Sequence, residues 1–194
     1  MRVVEVDGRT AWKIISSIMG RGHGFWALEA SRTPRGHSLV AYVDGVPAGA
    51  TVYYTIDSPP VRVAVIYYVA VAPWARGRGL GKILVASAEE LASRGWRGPV
   101  VYTATIAWRN AASVRMFESL GYRVVPFEEV ASEDYSLAEL LKAATCGYED
   151  YYVALKSEGG VAERLLEHVD WASVDEAYEE VCLKPWLKIQ KARI

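Results

Sequence analysis

The sequence predicts an α/β protein (α+β), in which strand patterns and helix patterns alternate along the chain. Residues 64–72 form an uninterrupted apolar run that is β-branched and too short for a membrane span, which indicates a central strand. Residues 38–43 and 48–56 predict two further strands joined by a hairpin turn. The apolar residues that recur at helical spacing after the central strand are Leu80, Leu84, Ala88 and Leu91.

Length and composition bound the class of protein. The 194 residues are enough for one domain with a sizeable core and an appendage. A net charge of −1 with dispersed basic residues predicts no nucleic-acid partner. No apolar run approaches about 18 residues and no leader pattern is present, so we predict no membrane partner and a cytoplasmic location. The two cysteines, Cys146 and Cys182, indicate neither a disulfide framework nor a metal site.

Further strand and helix patterns lie on both sides of the central strand, which as a whole is predicted at 61–72. The other predicted strands are residues 1–6, 38–43, 48–56, 100–106, 123–127 and 151–156. Helices are predicted at about 25–30, at 80–94 and at 111–120. Three more helices are predicted to start at a hydroxyl N-cap, which is Thr10, Ser136 or Ser173.

The turn after the central strand has the features of a phosphate-binding loop. Its sequence is RGRGLGK, residues 76–82, and it opens the helix. Glycines let the backbone approach a ligand closely, and a helix start offers unpaired N–H groups and a positive dipole end. A nucleotide P-loop does not fit, because Arg76 stands where its first glycine belongs and Ile83 replaces the hydroxyl residue. The dinucleotide fingerprint fails at Lys82, where its third glycine should stand.

The pattern that fits is Arg-x-x-Gly-x-Gly, beginning five residues after Val71. It resembles the acyl-CoA pyrophosphate loop of the GNAT superfamily of N-acetyltransferases. Residues 110–122, NAASVRMFESLGY, are similar to the later helix of that family, Asn-x-x-Ala-x-x-x-Tyr-x-x-x-Gly-Phe, with Ser113, Phe117 and Tyr122 substituted. The resemblance covers about residues 1–156. It implies a mixed, mostly antiparallel, twisted sheet flanked by helices, whose two halves splay after the central strand.

The resemblance also implies a cosubstrate, acetyl-CoA, and its binding residues, with no metal. Val69 and Val71 would offer backbone groups to the pantetheine arm, and the Val71 N–H would be the oxyanion donor. Asn110 would bond the pantetheine or an ordered water, and it is also a good helix N-cap. Phe117 would pack beside the sulfur. The residues that would hold the pyrophosphate are Arg76, Gly77, Arg78, Gly79, Leu80, Gly81 and Lys82.

Two catalytic groups of the family have no counterpart in this sequence. The tyrosine that protonates the leaving sulfur falls on Phe117, and the glutamate that several relatives carry on the central strand falls on Val65. The missing acid is helpful rather than obligatory, because a thiol with a pKa of about 8.5 leaves readily as thiolate. A water relay is one alternative for the general base. The side-chain candidates are Glu29, His23, Tyr67, Tyr68 and Tyr102.

The domain organisation follows from the last family-like strand. Residues 1–156 are expected to form the acetyltransferase domain, with a helical insertion at about 128–148. Residues 157–194 are expected to form a helical C-terminal extension that packs on the domain or makes a homodimer interface. Pro185 is expected to end its last helix. The acidic residues of the insertion, which would flank the acceptor cleft, are Glu128, Glu129, Glu133 and Asp134.

The leading interpretation is an enzyme that moves an acetyl group from acetyl-CoA to a primary amine by direct attack in a ternary complex. The region before Ser38 lacks the Pro and Tyr pattern of enzymes that acetylate protein N-termini, which favours a small-molecule amine over a peptide or protein amine. The alternative is a catalytically weak or inactive CoA-binding sensor or assembly module, because the family's tyrosine and glutamate are missing.

Overall fold

A seven-stranded sheet runs through the middle of the computed structural model, which describes residues 1–147 and 151–191. Its strands are β1 (Arg2–Glu5), β2 (Gly36–Val43), β3 (Val46–Ser58), β4 (Val61–Val71), β5 (Val100–Ala107), β6 (Arg123–Pro126) and β7 (Tyr151–Ser157). The spatial order is β1-β2-β3-β4-β5-β7-β6. Neighbouring strands are antiparallel, except that β4 and β5 are parallel. The predicted mixed, mostly antiparallel sheet is confirmed.

Helices cover both faces of this sheet. They are α1 (Gly8–Met19), α2 (Arg21–Ser31), α3 (Leu80–Ser93), α4 (Ala111–Ser119), α5 (Phe127–Glu133), α6 (Tyr135–Thr145), α7 (Ala162–Leu166), α8 (Trp171–Tyr178) and α9 (Lys184–Lys191). One face packs against α3 and α4, and we call it the α3 face. The other packs against α1, α2, α5, α6, α7 and α8, and we call it the α6 face. The insertion holds two helices, of which α5 was not predicted.

The sheet splits between β4 and β5. These two strands pair only from Arg62 with Val100 to Val65 with Thr103, after which β5 stays with β7 and β4 stays with β3. A β-bulge adds to the divergence, because Tyr67 is an extra residue in the pairing of β4 with β3. Since the strands are parallel, their carboxyl ends diverge in the same direction. The result is a V-shaped gap beside residues 66–71.

Aspartates cap the three helices for which hydroxyl caps were predicted. The carboxylate accepts a backbone N–H three residues later, over 3.1 Å from Asp7 to Thr10, 3.0 Å from Asp134 to Leu137 and 3.2 Å from Asp170 to Ser173. The predictions of Thr10, Ser136 and Ser173 as N-caps are therefore wrong, because these residues lie within the first turn. A carboxylate serves better there, since its charge also interacts with the positive end of the helix dipole.

The chain remains helical through Pro185, so the prediction that this residue ends the last helix is wrong. A π-helical turn, Glu179–Leu183, joins α8 to α9, and the Lys184 N–H bonds to the Glu179 carbonyl five residues earlier. This wider turn makes room for a proline ring at the start of α9. The division into a domain and an extension stays a prediction. Residue 148 of the expected insertion and residues 192–194 of the expected extension lie outside the described residues.

Cys146 and Cys182 are joined by a disulfide, so the interpretation that these two cysteines indicate no disulfide framework is wrong. The two residues are separated by 36 positions, and their Cα atoms are 5.7 Å apart. They meet because α8 packs on α6, so the π-helical turn passes beside the end of α6. Nothing in the spacing of two cysteines reveals such packing, since it depends on the tertiary fold.

Candidate active site

The last residues of β4 present their backbone to the gap. The Ala72 N–H donates to the Ala48 carbonyl over 2.8 Å, so the strand's neighbouring amide, that of Val71, points away from β3. The same alternation turns the Val69 amide toward the gap. The Val71 carbonyl accepts a hydrogen bond from Arg76 Nε over 3.1 Å. The Val71 N–H is thus aimed into the gap while its carbonyl is engaged by the loop.

The glycine loop that follows has an open backbone. Gly77 and Gly79 have φ angles of 76° and 77°, and a Cβ placed on either would meet no atom within 4 Å. Gly79 is the N-cap of α3, and its carbonyl accepts the first bond of the helix from the Ile83 N–H over 3.1 Å. The N–H groups of residues 80–82 therefore point out of the helix end. With exposed Arg78 and Lys82 beside them, they fit a phosphate group.

Gly81 serves a different purpose from Gly79. A Cβ at Gly81 would come within 2.7 Å of Met116 Sδ on α4 and 3.9 Å of Val71 Cγ2. A side chain there would displace Met116. Gly81 therefore permits the close approach of α3 to α4, in addition to presenting its own N–H group.

Asn110 and Phe117 both belong to α4. Asn110 Oδ1 accepts the Ser113 N–H over 3.1 Å, so the exposed Asn110 side chain is the N-cap of this helix. Phe117 is only 4% exposed, and its ring lies edge-on to that of Tyr122 with centroids 4.9 Å apart. α4 thus carries both residues on the α3 face, the side on which the glycine loop opens α3.

A polar network that the sequence analysis missed ties α3 to the other half of the sheet. Glu89 accepts bonds from the Tyr122 hydroxyl at 2.7 Å and from Lys156 Nζ at 2.6 Å. The Tyr102 hydroxyl donates to the Glu89 carbonyl over 3.3 Å. Burial raises the pKa of Tyr102 and of Tyr122, and the nearby Glu89 charge adds to both shifts. The sequence signal that could have revealed this network is the position of Glu89 directly after Ala88, which belongs to the apolar, buried stripe of α3.

The base candidates separate into different places. Tyr67 and Tyr68 lie on the α6 face at the gap, with ring centroids 4.8 Å apart. The His23 ring, on α2, is 5.8 Å from that of Tyr68. Tyr102 lies on the α3 face within the Glu89 network. Glu29 is 7% exposed and pairs with Arg32 at 2.9 Å and with Lys188 of α9. The structure thus brings His23, Tyr67 and Tyr68 together and sets Glu29 and Tyr102 apart from them.

The acidic residues of the insertion are not beside the gap. Glu129 and Glu133 lie 3.6 Å and 3.8 Å from Arg123 on β6, which is the edge strand. Asp134 caps α6, and Glu128 is exposed on α5. The expectation that these acids flank an acceptor cleft is wrong, because β5 and β7 stand between β6 and the gap.

Two further features concern the part of the chain that the structure describes, residues 1–147 and 151–191. None of the helices in that part of the chain combines the length and the apolar character that a membrane crossing requires. Within the same residues, no group of three or more His, Cys, Asp or Glu side chains is arranged to hold a metal ion.

A sheet split after its central strand, with a glycine loop opening the next helix, defines an acetyltransferase fold. The chain belongs to the acetyltransferase (GNAT) family, whose model matches residues 12–122. A comparison with curated proteins finds no match.

Solved structures agree on the fold. A Klebsiella pneumoniae protein described as an acyl-CoA N-acyltransferase has a TM-score of 0.56 at 15% identity, over 80% of this chain and 96% of its own. An aminoglycoside acetyltransferase from an uncultured soil metagenomic sample has a TM-score of 0.51 at 18% identity, over 63% and 91% of the two chains. An aminoglycoside 6′-N-acetyltransferase from Acinetobacter haemolyticus has a TM-score of 0.50 at 16% identity, over 63% of this chain and 91% of its own. At these identities the likeness shows the fold.

Proposed function

We propose that this protein transfers an acetyl group from acetyl-CoA to the primary amine of a small molecule, by direct attack in a ternary complex. The observation that carries the proposal is the Val71 amide aimed into the gap, five residues before a loop suited to phosphate. Membership of the family supports N-acetyltransferase chemistry in general. The cosubstrate and the acceptor class are our proposal.

The loop and the strand end hold the cosubstrate, which supplies an acetyl group activated as a thioester. The backbone N–H groups of residues 77–82 receive the pyrophosphate, and Arg76, Arg78 and Lys82 add positive charge around it. Val69 and the Val71 N–H face the pantetheine arm across the gap. Asn110 and Phe117 complete the binding residues from α4, with Phe117 packed beside the sulfur.

The Val71 N–H stabilises the negative charge that develops on the acyl oxygen. A backbone donor fixed in a strand costs no reorganisation at the moment of reaction, and loss of one such donor lowers kcat by about 10²- to 10³-fold in other enzymes. The bond from Arg76 to the Val71 carbonyl holds this peptide in place. Arg76 is therefore a positioning residue as well as a phosphate contact.

Tyr67 relays the proton of the attacking amine to water. We favour it over Tyr102 and Glu29 because of its position: Tyr67 lies at the gap on the α6 face, whereas Tyr102 lies on the α3 face and Glu29 lies on α2, apart from Tyr67. The raised pKa of Tyr102, caused by burial, disfavours that residue as a base.

A small acceptor is supported by the helix that covers the gap on the α6 face. α6 packs against both β4 and β5, which narrows the approach to Tyr67 for a folded protein substrate. Two solved structures of similar fold are named as aminoglycoside acetyltransferases, so amino sugars head the acceptors to be tested.

The test is thiol release from acetyl-CoA in the presence of aminoglycosides, polyamines, amino acids and a peptide with a free N-terminus, with mass spectrometry of the acetylated product. We expect turnover with at least one small amine. CoA binding by calorimetry without turnover on any amine would instead support the sensor or assembly module. Absence of CoA binding contradicts the proposal as a whole.

A further inference from the structure

The end of α6 closes one side of the gap. The Tyr54 hydroxyl donates to the Ala144 carbonyl over 2.6 Å, which ties the last turn of α6 to β3. Gly147, just after the helix, is so close to β5 that a Cβ on it would lie 2.9 Å from Thr105 Cγ2. α6 thus spans from β3 and β4 to β5 on the face where Tyr67 and Tyr68 lie.

The helix from Trp171 to Lys191 links α6 to α2, which lies elsewhere on the same face. On the α6 side the link is the disulfide between Cys146 and Cys182. On the α2 side the π-helical turn packs against α2, and Lys188 pairs with Glu29. Arg35, between α2 and β2, pairs with Glu176 and with Glu180 at 3.3 Å. We call these contacts the brace.

Cys146 occupies a backbone position that depends on its surroundings. Its φ angle of 51° is left-handed, a conformation that is unfavourable for a residue other than glycine. Its N–H and that of Gly147 bond to the Lys142 carbonyl, so Cys146 stands where helices usually end in glycine. The choice of cysteine at this position serves the cross-link rather than the helix end.

We propose that the Cys146–Cys182 disulfide is a positioning element of the acceptor side, which holds α6 at a fixed spacing from α2 and so keeps the amine site beside Tyr67 in its binding arrangement. This inference rests on the proposed function. It makes a specific claim about kinetics, because α6 touches the amine's side of the gap while the pyrophosphate loop lies at the other face. Loss of the cross-link therefore weakens amine binding and leaves CoA binding unchanged.

The first test needs no substrate. Dithiothreitol gives two electrons and two protons to the disulfide and closes to its own cyclic disulfide. Hydrogen exchange of the full chain, before and after this reduction, is expected to show faster exchange in α6 and in Glu179–Leu183, with α3 unchanged. Reduction of the Cys146→Ser/Cys182→Ser variant is the control and should change nothing. Unchanged exchange in α6 of the natural sequence, or equal acceleration throughout the sheet, overturns the proposal.

The second test is kinetic. The chain has two cysteines, so the double Cys→Ser variant has none and CoA is the only thiol in the assay. With kanamycin and spermidine as probes, we expect a higher KM for the amine and an unchanged Kd for CoA. If the unbraced α6 keeps its position for about a tenth of the time, the apparent amine affinity falls about tenfold.

Matched variants separate positioning from general loss of stability. Lys188→Met breaks the other end of the brace and is expected to raise the amine KM in the same direction. Arg62→Gln removes the bonds of Arg62 to Asp57 and to the Ala92 carbonyl, at the closed end of the gap. It should lower Tm without changing the amine KM. If the double Cys→Ser variant, Lys188→Met and Arg62→Gln all change the amine KM equally, the proposal is overturned. If neither probe is acetylated, the proposed acceptor class fails for these amines. The hydrogen-exchange experiment then still tests whether the disulfide holds α6 in place.

Discussion

Arg76 donates from Nε to the carbonyl of Val71 over 3.1 Å, and this bond joins the two parts of the candidate site. Val71 is the last residue of β4, and its amide faces the gap. Arg76 begins the loop that opens α3. The same residue therefore fixes the peptide expected to stabilise the oxyanion and carries positive charge to the phosphate site. Within this loop, Gly79 is the position at which a substitution tests the arrangement most directly.

Gly79→Val should weaken CoA binding at least about tenfold, because a side chain at the N-cap shields the N–H groups that receive the pyrophosphate. The strain of a left-handed residue other than glycine also costs about 1–2 kcal/mol of stability. Gly95→Val is the matched control, since Gly95 has a φ of 74°, equally open surroundings and a position just after the other end of α3. Calorimetric titration with CoA should distinguish the two. Equal affinity in both variants would contradict the placement of the loop.

The choice among the base candidates is tested by three substitutions measured together. Tyr67→Phe should lower kcat about 10²-fold, the lower range for loss of a proton-transfer group, with CoA affinity unchanged. Tyr102→Phe and Glu29→Gln should leave kcat within about twofold and lower Tm, because both residues make structural bonds. A large loss of kcat in Glu29→Gln, with Tm preserved, would move the base to α2.

The fold was predictable because its strands and glycine turns leave local signals. The apolar run before Pro73 gave β4, and the loop pattern gave the start of α3. The caps were misassigned because Thr10 and Ser173 are good capping residues by type, while the residue that caps, three positions earlier, is an aspartate in each case. Competing caps differ by about 1 kcal/mol or less, and tertiary geometry decides among them.

The geometry of the candidate site was predictable where it depends on the backbone and unpredictable where it depends on packing. The family resemblance pointed to Val71 and the glycine pattern pointed to Gly79, and a strand and a helix start fix where their amides point. That Glu29 would be paired with Lys188, 159 residues away, has no local signal. The disulfide was missed for the same reason. Tyr67 and Tyr102 look equivalent in sequence, yet they lie on opposite faces of the sheet.

Phe117→Tyr should be tolerated and should raise turnover, since it adds a donor beside the departing sulfur. The Phe117 ring is buried edge-on to Tyr122, so the added hydroxyl must find a polar partner in the gap. Steady-state kcat and CoA affinity are the measurements. A variant that binds CoA normally and loses most of its activity would mean that the gap has no room beside the sulfur. Phe117→Leu, which adds no donor, is the control and should not raise turnover.

Stability should fall above about pH 10, because several tyrosines are held neutral in the fold. Burial raises the pKa of Tyr53 to about 12, and burial also raises the pKa of Tyr54, Tyr102 and Tyr122. Their contribution is fully present below the unfolded pKa of about 10 and is lost as pH rises through the folded values, because the unfolded chain releases these protons first. Urea melts from pH 8 to 12 should show this decline.

Tyr122→Phe separates the two effects of that hydroxyl. At pH 8 the variant should lose about 1.5–3 kcal/mol, since the bond to a charged Glu89 is gone. Above pH 10 its stability should decline less steeply than that of the natural sequence, because one tyrosine with a raised pKa has been removed. Parallel curves for the two proteins would show that Tyr122 does not contribute to the alkaline loss.

The C-terminal helices should stabilise their own domain rather than a dimer. Leu166 of α7 is 1% exposed and Val174 of α8 is fully buried, both within a single chain. Leu166→Ala should therefore lower the free energy of unfolding by about 2–5 kcal/mol. Leu187→Ala on α9 is the control, because Leu187 is 42% exposed and surface changes stay within about 0.5 kcal/mol.

Truncation after Glu158 should lower Tm without changing the oligomer seen by light scattering. A Leu187→Ala variant as unstable as Leu166→Ala, or a truncated chain that passes from dimer to monomer, would make this segment an interface between two copies.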